Sequence, residues 1–221
     1  MLKMNCKFII FVNKKQIMNK ILLSLLLFLF AANGIAQDHN RTDDKGRRQG
    51  LWMDFYANGQ KRYEGTFKND KCQGEFKYYD ELGRLKATNT FDKSGEKALN
   101  KTYDPNGTLI ATGYYLNQKK DGEWRYFSKE NGKMILVEDN KDGKVHGKSL
   151  VYYETGVLMM ERQFVDGLQE GHTKIYYPSG ALKEEGDYLH GSKTGVWKAY
   201  NEDGDEISSE NFSAPVLNGF D

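Results

Sequence analysis

Cysteine and proline are scarce, with two Cys and three Pro in 221 residues. Cys6 falls in a leader described below, so Cys72 stands alone. That leaves no basis for an intrachain disulfide framework or a cysteine-based metal site. A surplus of positive charge is missing as well. Residues 1–36 hold five lysines and no acid, and without them 27 basic residues face 31 acidic ones, a net charge of −4. A nucleic-acid partner is therefore not expected. Nor is there a long hydrophobic run. The one apolar stretch, Ile21 to Ala32, is too short for a comfortable membrane span.

That stretch has the layout of a secretory signal peptide. Lys20 precedes it, and Gly34-Ile35-Ala36 supplies a small-x-small cleavage site before Gln37. Met18 is the expected start of translation, the 17 residues before it being either an upstream misassignment or a longer basic n-region. The alternative is an uncleaved N-terminal anchor. No cysteine stands directly after the apolar run, which removes an acylated-cysteine lipoprotein form. The expected product is exported and soluble, in the periplasm, at the cell surface or outside the cell, with no stable membrane span after cleavage.

Glycine (23), tyrosine (14) and phenylalanine (12) are plentiful, a balance that favours strands joined by tight turns. A strict period organises them. Gly50, Gly74, Ala98, Gly122, Gly147, Gly171 and Gly195 recur at spacings of 24, 24, 24, 25, 24 and 24 residues. Five residues after each comes an aromatic: Phe55, Tyr79, Tyr103, Phe127, Tyr152, Tyr176 and Tyr200. A second glycine follows in every copy, from Gly59 to Gly204. A further aromatic follows in six of the seven, Asn140 being the exception.

Each 24-residue unit reads as a β-hairpin whose turn carries Asn58-Gly59, Asn106-Gly107, Asn131-Gly132, Ser179-Gly180 or Asp203-Gly204. The recurrent Gly-x-x-x-Gly, as in Gly143–Gly147 and Gly191–Gly195, is expected to mark the reversal into the next unit. On the second arm, Leu158, Met160, Arg162 and Phe164 alternate onto one face. So do Leu109, Ala111, Gly113 and Tyr115, with glycine admitting a neighbour's ring. A lone hairpin is marginal, so the units must stack. The fold expected is all-β, an open single-layer β-meander solenoid of seven stacked 24-residue hairpins. The organisation expected is a signal peptide at 1–36, a charged and frayed segment at 37–49, the repeats at 50–214, and a tail at 215–221 whose Pro215 stops a further strand.

Written out, the consensus G-x-W-x-x-Y-x-x-x-G-x-L-x-x-x-G-x-Y-x-x-G-x-x-x-G resembles the MORN repeat variant found in the bacterial YwqK family, the antitoxin part of a toxin–antitoxin module. The likeness is carried by Gly50, Trp52, Phe55, Gly59, Gly65 and Phe67 in the first unit. In the sixth it is carried by Gly171, Tyr176, Gly180, Leu182, Gly186, Tyr188, Gly191 and Gly195. Ala98, Asn100 and Asn140 depart from the pattern, which puts local regularity in question there. The resemblance implies an open β-meander, a non-catalytic interaction role and an antitoxin-like partner. With a signal peptide, that role becomes immunity against an exported toxin.

No motif for catalysis or phosphate binding is present. His146, His172 and His190 lie in the linkers, where two could approach one another without a third ligand recurring beside them. The acidic loops lack calcium-ligand spacing. Neither enzyme activity, cofactor nor metal is expected. The candidate partner-binding residues are Trp52, Tyr56, Tyr78, Trp124, Tyr126, Tyr153, Tyr177 and Trp197. They are read as facing away from the invariant aromatic, either as an open stacking row or as rings packed between hairpins. The first expected partner is another protein, a toxin among the candidates. The second is a cell-envelope carbohydrate such as peptidoglycan.

Overall fold

A computed structural model describes residues 39–213. The expected signal peptide at 1–36 and the tail at 215–221, with Pro215, lie outside them. All regular elements in the described span are strands. They are β1 (Arg41–Thr42), β2 (Arg48–Phe55), β3 (Lys61–Lys68), β4 (Lys71–Tyr79), β5 (Leu85–Phe91), β6 (Lys97–Tyr103), β7 (Leu109–Leu116) and β8 (Lys119–Phe127), followed by β9 (Met134–Lys141), β10 (Lys144–Tyr152), β11 (Leu158–Val165), β12 (Leu168–Tyr176), β13 (Leu182–Leu189), β14 (Ser192–Tyr200) and β15 (Glu206–Phe212). They form one open antiparallel sheet of 15 strands in sequence order. The seven expected hairpins run from β2/β3 to β14/β15. The charged segment is not simply frayed. It adds β1 and a turn in which Asp43 Oδ1 accepts the Lys45 and Arg47 amides while its carboxylate pairs with the Arg47 guanidinium.

The tightest reversals lie between repeats. Asn69-Asp70, Asn117-Gln118, Asp142-Gly143, Asp166-Gly167 and His190-Gly191 each have two successive residues at positive φ. That is the two-residue turn whose twist matches paired strands. Of the Gly-x-x-x-Gly signal, only the first glycine belongs to this reversal. The second sits inside the strand, where Gly74, Gly122, Gly147, Gly171 and Gly195 adopt φ between 63° and 110°. Each makes a bulge against the preceding hairpin: Thr66 pairs with Gln73 but Glu64 with Lys77, so Gly74 and Glu75 are extra. The same break recurs at β7/β8, β9/β10, β11/β12 and β13/β14.

The β5/β6 junction is different. Ala98 replaces the glycine, and the ladder from Ala87↔Thr102 to Phe91↔Ala98 is unbroken. The two residues that a bulge would hold pass into the loop instead, so six residues separate Phe91 from Ala98 where four separate Phe67 from Cys72. Asp92 organises that loop by accepting from the Ser94 and Gly95 amides and the Ser94 hydroxyl.

A second, one-residue bulge near each intra-repeat loop flips side-chain parity. Val151 pairs with Met160 but Tyr152 with Leu158, leaving Met159 extra. Leu158 therefore leaves the face shared by Met160, Arg162 and Phe164, and Leu109 leaves that of Ala111, Gly113 and Tyr115. These leucines join the invariant aromatics on the other side. Nearly all buried side chains, including Phe67, Phe76, Trp124, Ser149, Thr173 and Trp197, lie on one face. We call it the packed face, and the other the open face.

Candidate interaction surface

The eight expected residues separate into three groups. Trp52, Trp124 and Trp197 occupy one register on the packed face, and each indole N–H donates to a backbone carbonyl of the preceding arm: Arg41, Tyr114 and Asp187, at 3.1, 2.9 and 3.1 Å. Trp124 and Trp197 are 2% and 3% exposed. Of the two arrangements expected, these two take the packed one and not the open stacking row, because their ring and polar edge are both satisfied inside the sheet. Trp52 is half-buried. Tyr78 and Tyr126 lie on the same face two residues further along. Burial pushes both hydroxyls up, and the Tyr126 hydroxyl also donates to Glu138 at 2.8 Å.

Tyr56, Tyr153 and Tyr177 stand at the loop entrance. Their hydroxyls donate to the carbonyls of Tyr79, Tyr176 and Tyr200, one repeat onward, at 2.8, 2.7 and 2.9 Å. They tie successive loops together. The eight do not form one row.

Packing between repeats follows a size rule. A β-carbon on Gly65 would lie 2.2 Å from the Phe76 ring; on Gly113, 2.4 Å from Trp124; on Gly186, 2.3 Å from Trp197. The ring of one hairpin fits only because its neighbour has no side chain there. Where the ring is replaced by a small or polar group, the glycine is replaced too: Asn89 faces Asn100, Glu138 faces Ser149, and Arg162 stands beside Ser149 and Thr173. Asn100 Nδ2 donates to Asn89 Oδ1 at 2.7 Å, and Arg162 Nη2 to Ser149 Oγ at 3.1 Å. Arg162 Nε is out of solvent without a partner, and burial lowers the guanidinium's proton affinity.

Four of these hairpins match the MORN repeat variant. The matches cover residues 48–69, 98–117, 145–166 and 169–190, which are the first, third, fifth and sixth hairpins. No curated protein matches the chain. Among solved structures, the crystal structure of TarM is similar over 55% of this chain and 19% of that one, at 14% identity and a TM-score of 0.27. The crystal structure of TcdB2-TccC3-Cdc42 is similar over 77% of this chain and 13% of that one, at 11% identity and a TM-score of 0.18. The matched region is thus a small part of either chain, and at those scores neither likeness informs the fold or the role.

On the open face of the sheet stands the invariant aromatic row, Phe55, Tyr79, Tyr103, Phe127, Tyr152, Tyr176 and Tyr200. Phe55 is 47% exposed and the others are half-buried. Reading for tryptophan passed over this row, although its recurrence in all seven repeats was the available signal. Tyr79 donates to Glu64 at 2.6 Å, and partial burial together with that bond pushes its hydroxyl up to about 12. Tyr200 donates likewise to Glu185 at 2.9 Å.

The linker histidines do not approach one another as a ligand set. His146 lies 3.3 Å from Asp166, His172 within 3.2 Å of both Asp187 and Glu185, and His190 2.9 Å from Glu170. Cys72 is half-buried in β4 and burial raises its thiol.

The two sheet edges differ. At the N-terminal edge β1 covers Arg48 and Gln49, and Asn40 acts as a surrogate peptide: its side-chain amide donates to the Met53 carbonyl at 2.9 Å and accepts the Met53 amide at 2.8 Å. At the other edge, β15 has no strand on its outer side among the described residues. Residues 199–213 contain five acids and no Lys or Arg.

Proposed function

We propose that the chain is an exported, non-enzymatic MORN-type scaffold whose partner is another protein, bound through the sheet. The observation that supports this reading most directly is the β15 edge, which has no strand on its outer side among the described residues, set against an opposite edge where β1 and Asn40 pair with β2. An uncovered strand offers a row of backbone donors and acceptors to an extended segment of a second chain. The acids around β15 favour a segment bearing Lys or Arg. In the immunity form of this reading, the partner is a toxin exported by the same cell.

The test is cross-linking of the mature chain in cell-envelope extracts, followed by amide hydrogen exchange of the isolated complex. Slowed exchange across β15 is expected. A partner that leaves β15 exchange unchanged overturns the edge assignment. For the immunity form, deletion of the gene should make a neighbouring exported toxin lethal, and undiminished growth with the toxin active excludes it.

A further inference from the structure

The open face carries more than a row of rings. Successive rings are two strands apart, roughly 9.6 Å at the usual strand spacing. In five of the seven hairpins a cation lies two residues earlier in the same strand: Lys77 before Tyr79, Lys101 before Tyr103, Arg125 before Phe127, Lys174 before Tyr176 and Lys198 before Tyr200. Residues i and i+2 share a face, and the register agrees, since Lys198 pairs with Glu185 while Tyr200 hydrogen-bonds the same carboxylate. Met53 and Leu150 are the two exceptions.

Folding ties none of these cations to a fully buried carboxylate, although Lys174 lies in register between Glu161 and Glu185. Lys101 and Lys174 have no ion pair among the described residues. Lys77, Arg125 and Lys198 pair with Glu75, Glu123 and Glu206, all exposed. Exposed pairs of this kind are worth little and exchange readily. In the middle of the longest run, a depression of about 310 Å3 opens beside Tyr103, bounded by Leu85, Lys86, Asp104, Pro105 and Lys129.

The geometry points to a linear polysaccharide bearing carboxylates as the ligand of this face. Each ring offers a flat apolar surface to the C–H face of a sugar, and the cation beside it meets a carboxylate. An extended polysaccharide presents the same sugar face at regular intervals along a straight path. An extended peptide repeats every two residues, roughly 6.7 Å, and falls out of step with the rings. The rings and cations run as three consecutive dyads over β4, β6 and β8, then two over β12 and β14, with Leu150 on β10 as the gap. This surface meets β15 only where Lys198 pairs with Glu206, and Lys101 and Lys174 lie on other strands, so protein capture and glycan binding can fail independently.

The test is calorimetric titration of the full mature chain with polygalacturonate, beside dextran as a neutral chain and polyglutamate as a sugar-free polyanion. Binding of polygalacturonate alone is expected. The double variant Lys101→Ala/Lys174→Ala, both at surface positions, should weaken it about tenfold. Leu150→Lys closes the gap and should tighten binding severalfold for long chains while leaving short oligomers unchanged, a gain that misfolding cannot imitate. Equal binding of polyglutamate or of dextran overturns the proposal. So does an unaltered affinity in Leu150→Lys, or displacement of polygalacturonate by phosphatidylserine vesicles.

Discussion

At β7/β8, Gly113 lies beneath Trp124, Gly122 makes a bulge, and a two-residue turn precedes the strand. At β5/β6, Asn89 faces Asn100, Ala98 sits in an unbroken ladder, and the preceding loop is longer. Both junctions join neighbouring hairpins of the same period, one by packing a ring into the space of a missing side chain and one by pairing amides. The sheet thus tolerates either an apolar or a polar contact, provided both members change together. Trp on a long side chain, or Ser on glycine, occurs at none of the described junctions.

Changes at the ring-bearing junction should have the largest effects. Trp124→Ala should lower stability in urea unfolding by about 3–5 kcal/mol, the usual range for a large buried aromatic. Asn100→Ala should lower it by only about 1–2 kcal/mol, since one buried amide partner is lost. Similar losses at the two sites would contradict the distinction.

Gly113→Ala comes next, at about 1–3 kcal/mol, because the new methyl must displace a packed indole. A paired change sharpens the comparison. Trp124→Ser with Gly113→Glu copies the β9/β10 combination and should unfold at higher urea than Trp124→Ser alone.

Smaller still is Gly122→Ala. Its φ is +70° with nothing within 4 Å of the added carbon, so only backbone strain opposes it. That strain costs about 1–2 kcal/mol. The matching Ala98→Gly should cost about 0.5–1 kcal/mol, through chain entropy alone. Thermal melts of the pair check the order.

The smallest effect is a response to pH. Tyr79 is tied to Glu64 across β3/β4, a ring-over-glycine junction, while the equivalent positions at β5/β6 hold Tyr103 and Thr88. The neutral phenol is favoured in the folded state. Its contribution is therefore complete below the ordinary value of 10 and is lost as pH rises through about 12. Alkaline titration by NMR should loosen β3/β4 in the wild type and not in Tyr79→Phe.

The seven hairpins, their sequential order and the glycine under a neighbouring ring were legible from the registers of Gly50, Phe55 and Gly113. So was one place of irregularity, since the ladder changes at Ala98, whereas at Asn140, where it was also expected, β9/β10 keeps the usual bulge. The faces were legible only in part. Trp52 and Tyr78 do lie opposite the invariant aromatics, but placing Leu158 with Met160 and Leu109 with Ala111 assumed unbroken alternation, and the one-residue bulge near each intra-repeat loop resets parity there. The glycines that make the bulges between repeats were read as turn residues because composition does not separate the two uses. Lys101 before Tyr103 and its counterparts were visible as a pattern, yet only the register shows that they share an uncovered face.

The exchange at β5/β6, in which residues leave a bulge and enter a loop, has a genetic consequence. The 24-residue period is conserved while the hydrogen-bond register is not, so chain length and strand pairing are inherited separately. Duplication of one repeat's worth of codons therefore inserts a hairpin in phase with its neighbours, and the glycine or alanine at the position of Gly74 and Ala98 goes with the register of the new junction. A gene built this way can lengthen or shorten by whole hairpins wherever the new junction again sets a ring over glycine or a polar group beside a polar group.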